Sequence, residues 1–168
     1  MLKKTLTAID GISVFIGKMF SFIILPVTLL EAVEVVLRYG FDSPTDWSWE
    51  LAAMLSGAMF VTGAAWVLKD NKHVRTDLVY AKLPRKWQAI FDLFFFTVIF
   101  FSFTGVLAVK STQQAIYSVG ILESTFSMWS PPLYPLKIII ALSFIILLLQ
   151  GLAKWIRDLY FLIKGCEI

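Results

Sequence analysis

The sequence predicts an all-α integral membrane protein with four transmembrane helices, and three observations predict it. Of its 168 residues, 58% are hydrophobic and only 16% are charged, whereas soluble domains run at about 45–50% apolar and about 25% charged. The apolar residues gather into four stretches, at about 14–37, 51–68, 90–109 and 133–152. Each comes near the roughly 20 residues that a helix needs to cross about 30 Å of hydrocarbon. None alternates apolar and polar residues as a barrel strand would. All six tryptophans lie near the ends of these stretches, where an interfacial aromatic belt belongs. Residues 1–168 read as a single membrane domain, with no repeat, low-complexity segment or soluble domain.

Span one follows Lys3 and Lys4 and continues to Leu37. That is far longer than the apolar core of a signal peptide, so it reads as a retained membrane anchor. Its outer part carries Glu31 and Glu34, three residues apart on one helical face, with Arg38 four residues further on. A carboxylate partly inside lipid is costly and is a functional candidate by default. Two readings stay open for this pair. One is a polar contact with Arg38 or with a partner subunit near the headgroups. The other is a proton-coupled carboxylate in a stand-alone four-helix transporter working as a homodimer.

The segment "RYGFDSPTDWSWE" (38–50) separates spans one and two. Pro44 and Asp46 suit a turn, and Asp46 is placed to cap a helix beginning near Trp47. Trp47 and Trp49 are expected at the interface, as are Trp87 and Trp129 near later span ends. Glu50 lies at the lipid edge, where Arg38 or a partner subunit is the expected counterpart. Span two is rich in small residues. Ala52, Ser56 and Gly63 share one face, and Ala53, Gly57 and Ala64 share the next. Small residues at this spacing let another helix approach closely in lipid. The spacing fits a helix of this chain or one of another subunit.

The connection to span three, "DNKHVRTDLVYAKLPRKWQAIFDL" (70–93), is basic with apolar residues interleaved. Leu78, Ala81 and Leu83 predict a short amphipathic segment lying in the interface, with Lys82, Arg85 and Lys86 on headgroups. His73, Arg75 and Asp77 are expected as a polar lock at that surface, or as a contact to a partner. Pro84 fits the start of the next helix. After span three, "QQAIYSVGILESTFSMWSPPLYPLK" (113–137) is nearly uncharged, and Pro131, Pro132 and Pro135 punctuate the entry into span four.

Basic residues give the direction. Twelve of the fifteen lie in the N-terminal arm, the 69–89 connection and the C-terminal tail, or close by; Arg38, Lys110 and Lys137 lie on the other side. The positive-inside rule then puts both termini in the cytoplasm, with the 38–50 and 110–132 segments outside. In a bacterium that outside is the periplasm. Asp42, Asp46 and Glu123 become candidates for docking a periplasmic protein.

Catalysis has little to work with. His73 is the only histidine and Cys166 the only cysteine, which leaves no Ser-His-Asp set and no Cys- or His-rich metal site. No glycine-rich phosphate loop is present. The sequence points to no enzyme, no cofactor and no nucleic-acid partner, with the lipid bilayer as the first partner.

"LRYGFDSPTDWSWELA", followed after span two by "HVRTDLVYAKLP", resembles the small membrane subunit of tripartite ATP-independent periplasmic (TRAP) transporters, the DctQ-type family. The similarity lies in Arg38 and Phe41 at the end of span one, then Pro44, then Trp49 and Glu50 opening span two. The run His73-Val74-Arg75-x-Asp77 is similar as well, and so is the four-span layout with both ends inside. "FSMWSPPLYPLK" before span four is similar only in its Pro and Trp residues. The resemblance implies a non-catalytic small permease subunit. Its partners would be a large membrane subunit that carries an organic acid inward on a sodium gradient, and a periplasmic substrate-binding protein. The small subunit would scaffold the first and help dock the second.

Overall fold

The computed structural model describes residues 2–70 and 84–165. The amphipathic segment expected around Leu78, Ala81 and Leu83 lies outside them, as do His73, Arg75 and Asp77. Helix α1 (Leu2–Ser21) is followed by α2 (Ile24–Gly40), and α3 spans Ser48–Lys69. Helix α4 (Arg85–Phe95) runs through a π-helical turn, Phe96–Phe100, into α5 (Phe101–Gly120). Helix α6 spans Tyr134–Lys164. Four stretches are long and apolar enough to cross a membrane: Lys3–Gly40, Ser48–Lys69, Trp87–Gly120 and Tyr134–Lys164.

The 14–37 span was expected as one helix, and the structure divides it at Phe22 and Ile23. Pro26 explains the division. It has no N–H to offer, and its ring clashes with the carbonyl four residues back, that of Phe22. The backbone there changes to three-residue bonds, from Ile23 N–H to the Phe20 carbonyl and from Leu25 N–H to Phe22, before Val27 N–H bonds to Ile23. The fourth span also differs. It was expected to end near 152, yet α6 runs for 31 residues, about 46 Å at 1.5 Å per residue. The polar residues that suggested an end lie on its packed side, as described below.

The helices form an open row. The α1–α2 span packs on α3, α3 on α6, and α6 on α4–α5, while α1 also reaches α6. The interior of this row is made of small and hydroxylated residues. Ala52, Ala58, Thr62 and Ala65 are buried on α3, Ala141, Ser143, Gly151 and Ala153 on α6, and Thr104, Ala115 and Ser118 on α5. The large side chains point outward: Phe15, Leu29, Phe60, Phe103 and Ile116 are all exposed. Lipid tails are as apolar as leucine, so helices associate in a membrane by close approach and not by hiding apolar bulk.

Two glycines show how close that approach is. A Cβ at Gly17 would lie 2.8 Å from the Cβ of Trp66. A Cβ at Gly151 would overlap the ring of Phe100, which stacks on Phe96 at 4.8 Å within the π turn.

Candidate functional site

The end of the row bearing the 41–47 and 121–133 connections is here called the corner end. Its first site is built on Glu34, which is only 6% exposed. Arg38 donates to Glu34 Oε1 from Nη2 at 2.6 Å and from Nε at 3.1 Å. Thr45 donates its hydroxyl to Oε2 at 2.5 Å and its N–H at 3.3 Å. The two ends of the corner are thus tied to one carboxylate. Asp42 adopts left-handed backbone with φ of 49°, and Ser43 N–H returns to the Leu37 carbonyl to close α2. Glu31, three residues before Glu34, is half-buried and has no hydrogen bond or ion pair among the described residues. Of the two carboxylates on the stripe, Glu34 has its acceptors occupied by the chain itself.

Asp46 does not cap α3. The residue preceding that helix is Trp47, without a side-chain cap bond. Glu50 pairs not with Arg38, which is engaged by Glu34, but with the far loop. Its Oε2 accepts from Ser127 Oγ at 2.8 Å and from Thr125 Oγ1 at 3.3 Å. The 121–133 loop is fixed at several further points. Leu122, with φ of 47°, ends α5 while Glu123 N–H bonds to Ser118 O and Leu122 N–H to Val119 O, a Schellman ending. Leu133 N–H bonds to Glu123 O at 2.8 Å and Thr125 N–H to Pro131 O at 3.0 Å. Glu123 receives Lys137 Nζ at 2.5 Å, and that cation holds its carboxyl below the usual glutamate range. Glu123 is therefore engaged within the chain, while Asp42 and Asp46 are exposed. The rings of Trp47 and Trp129 lie 6.2 Å apart and join the two connections, and Trp49 is exposed beside them.

The opposite end holds a polar cluster that the sequence reading missed. Asp10 of α1 receives Arg157 at 2.8 and 3.2 Å and Gln150 Nε2 at 2.8 Å. Ser13 donates to Gln150 Oε1 at 2.8 Å, and Gln150 is fully buried. Lys154 lies between Asp92 at 2.5 Å and Asp158 at 2.6 Å. The available signal was the spacing of 150, 154 and 158, four residues apart on one face of a helix. It was hidden by ending the span at 152. Trp87 is exposed near this end, and Trp155 donates its indole N–H to Thr97.

Glu34, Glu50, Glu123, Asp10 and Lys154 each find partners within the chain. An apolar groove of about 270 Å³ is lined by Thr97, Phe101, Leu148, Leu152 and Trp155, with no ionisable side chain. Among the described residues no group of His, Cys, Asp and Glu is placed to hold a metal ion. The chain thus offers contacts between elements at both of its ends.

Comparison with known proteins adds the decisive fact. The family described as "Tripartite ATP-independent periplasmic transporters, DctQ component" matches residues 27–160, most of the chain. The chain belongs to the DctQ family. None of the curated proteins matches it individually. DctQ proteins are a transporter component rather than an enzyme family, and work with a large membrane subunit and a periplasmic binding protein.

In this DctQ chain, the matched region begins just after Pro26 and takes in the corner, the far loop and most of α6. Asp10 and Ser13 lie before it. The small-residue stripe of α3 is divided in a telling way. Ala52 packs inside the row, whereas Ala53 is exposed, Ala64 is half-buried, and a Cβ at Gly57 would meet nothing within 4 Å. At Ala53 and Gly57 the surface of α3 has room for a further side chain among the described residues.

Proposed function

We propose that this chain is the non-catalytic small permease subunit of a sodium-driven TRAP transporter that imports an organic acid across a bacterial inner membrane. The family match over residues 27–160 carries this reading. Both termini lie in the cytoplasm, as the excess of basic residues on that side requires, and the corner end faces the periplasm. The large subunit packs against the open row, with Ala53, Gly57 and Ala64 as its point of close approach. His73, Arg75 and Asp77 contact or brace that subunit from the cytoplasmic side. The binding protein docks at the corner end, where Asp42 and Asp46 are exposed. Glu31 faces the large subunit. The small subunit scaffolds, and the transport site belongs to its partner.

Affinity purification of the chain tested together with its genomic neighbours checks this. The expected result is a stoichiometric large membrane subunit, lost on Gly57→Leu although the small subunit still accumulates in the membrane. Vesicles holding the pair and the binding protein take up an organic acid when a sodium gradient is imposed. Purification as a clean homodimer that transports on a proton gradient, with loss on Glu31→Gln, overturns the reading.

A further inference from the structure

The loop at the corner end carries the most exposed apolar side chains described in the protein. Phe126 has a relative exposure of 110% and Met128 of 93%. They are exposed because of how their neighbours are held. Thr125 and Ser127 both bring their hydroxyls to the same oxygen of Glu50, and they also bond to each other at 2.8 Å. The Ser124–Pro132 bridge pairs the start of the loop with the returning chain, and residues 126–129 form a bend between them, closed by bonds from Ser130 to Ser127 and to the Thr125 carbonyl. With Thr125 and Ser127 held against Glu50 of α3, the bend leaves Phe126 and Met128 exposed.

Three observations say what covers them. The loop is anchored to Glu50 in the first turn of α3 and to Lys137 in the first turn of α6. Both helices cross the membrane, so the loop lies level with their ends, at the boundary of the bilayer. Trp47, Trp49 and Trp129 lie at the same level, and indole rings favour that boundary. The loop also carries no charge of its own to lose on contact with an apolar phase. Glu123 is paired with Lys137, Glu50 is occupied by two hydroxyls, and residues 124–133 contain no ionisable side chain.

We infer that the 124–132 loop is a built membrane-surface anchor, whose Phe126 and Met128 seat in the headgroup–acyl boundary of the leaflet at the corner end. Glu50 is its positioning residue. It sets the direction of the two apolar side chains without touching lipid. The inference rests on the helix ends marking the bilayer boundary and is independent of membership in a transporter.

The test places an environment-sensitive dye on a cysteine at 126 or 128, in a full-length chain carrying Cys166→Ser, in phosphatidylcholine nanodiscs. A dye at position 42 serves as the exposed reference. The expected result is blue-shifted emission at 126 and 128. Lipids spin-labelled near the headgroup should quench it, and aqueous iodide should quench it far less than at position 42. Glu50→Ala, which frees Thr125 and Ser127, should restore iodide quenching at 126 while the chain remains folded by its melting curve. Emission at 126 and 128 as accessible to iodide as at 42 overturns the anchor. So does emission shielded from both quenchers, which assigns the tip to a protein contact. Lipid quenching unchanged by Glu50→Ala overturns the positioning role of Glu50.

Discussion

Glu34 and Glu31 lie three residues apart on the same helix, and only Glu34 should matter to stability when its charge is lost. Glu34→Gln keeps the shape but weakens the charge-assisted bonds from Arg38 and Thr45. It leaves the guanidinium without its counter-ion at the edge of an apolar phase. Melting in detergent, followed by tryptophan fluorescence, should drop by several degrees for Glu34→Gln and be nearly unchanged for Glu31→Gln. Glu123 allows a test in pH. Its folded-state carboxyl is held below the ordinary value by Lys137, so the unfolded chain binds the proton more readily. The stabilisation is therefore complete above the ordinary glutamate range, about 4.3, and is lost as pH falls through the lowered folded value. The melting curves of the native chain and Glu123→Gln should differ at pH 7 and converge on acidification below that range. A gap that persists unchanged in acid would mean that the Lys137 pair contributes nothing to stability.

At the scale of the helix, glycines separate close contacts made inside the chain from positions with room to spare. Gly17→Ala forces a methyl against Trp66, and Gly151→Ala forces one into the Phe100 ring. Each should destabilise by about 1–3 kcal/mol, the usual cost of overfilling a packed contact. Gly57→Ala, with nothing within reach, should leave the melting temperature of the isolated chain unchanged or raise it slightly, since alanine favours helix over glycine. Thermal melts of the three variants check this in one experiment. The sequence alone could place the four helices, because twenty apolar residues in a row admit few other structures. It could not say that Ala52 is buried and Ala53 exposed, because neighbours in sequence differ by about 100° around a helix and both faces are equally apolar. The Glu34–Arg38 pair was legible from its spacing of four residues. The partner of Glu50 was not, since Thr125 and Ser127 lie more than seventy residues away and hydroxyls carry no charge to announce them. Pro26 was visible throughout, but its effect depends on whether neighbouring helices restore the lost bond, and here the backbone shifts register instead.

At the scale of the molecule, the open row and the distribution of charge make one prediction about direction. Spans one and three lie at its edges, and each packs on the helices beside it. Both ends of the row are stitched by side chains, but with different chemistry. The corner end uses hydroxyls, tryptophans and two ion pairs, Glu34–Arg38 and Glu123–Lys137. The opposite end concentrates Asp10, Asp92, Lys154, Arg157 and Asp158 around Gln150. Basic side chains are retained on the side where the membrane is assembled, because loops rich in lysine and arginine are poorly translocated. The end with the N-terminus, the 69–89 connection and the C-terminal tail carries twelve of fifteen and should therefore stay in the cytoplasm. Thiol labelling in spheroplasts decides this. Cys166, in the C-terminal tail, should resist a membrane-impermeant maleimide until the cells are opened. In a chain with Cys166→Ser, cysteines at Ser43 and Ser124, both exposed in the corner-end loops, should react with the reagent added outside. The reverse pattern would invert the protein in the membrane and move the proposed docking surface, with Asp42 and Asp46, to a side that no periplasmic protein can reach.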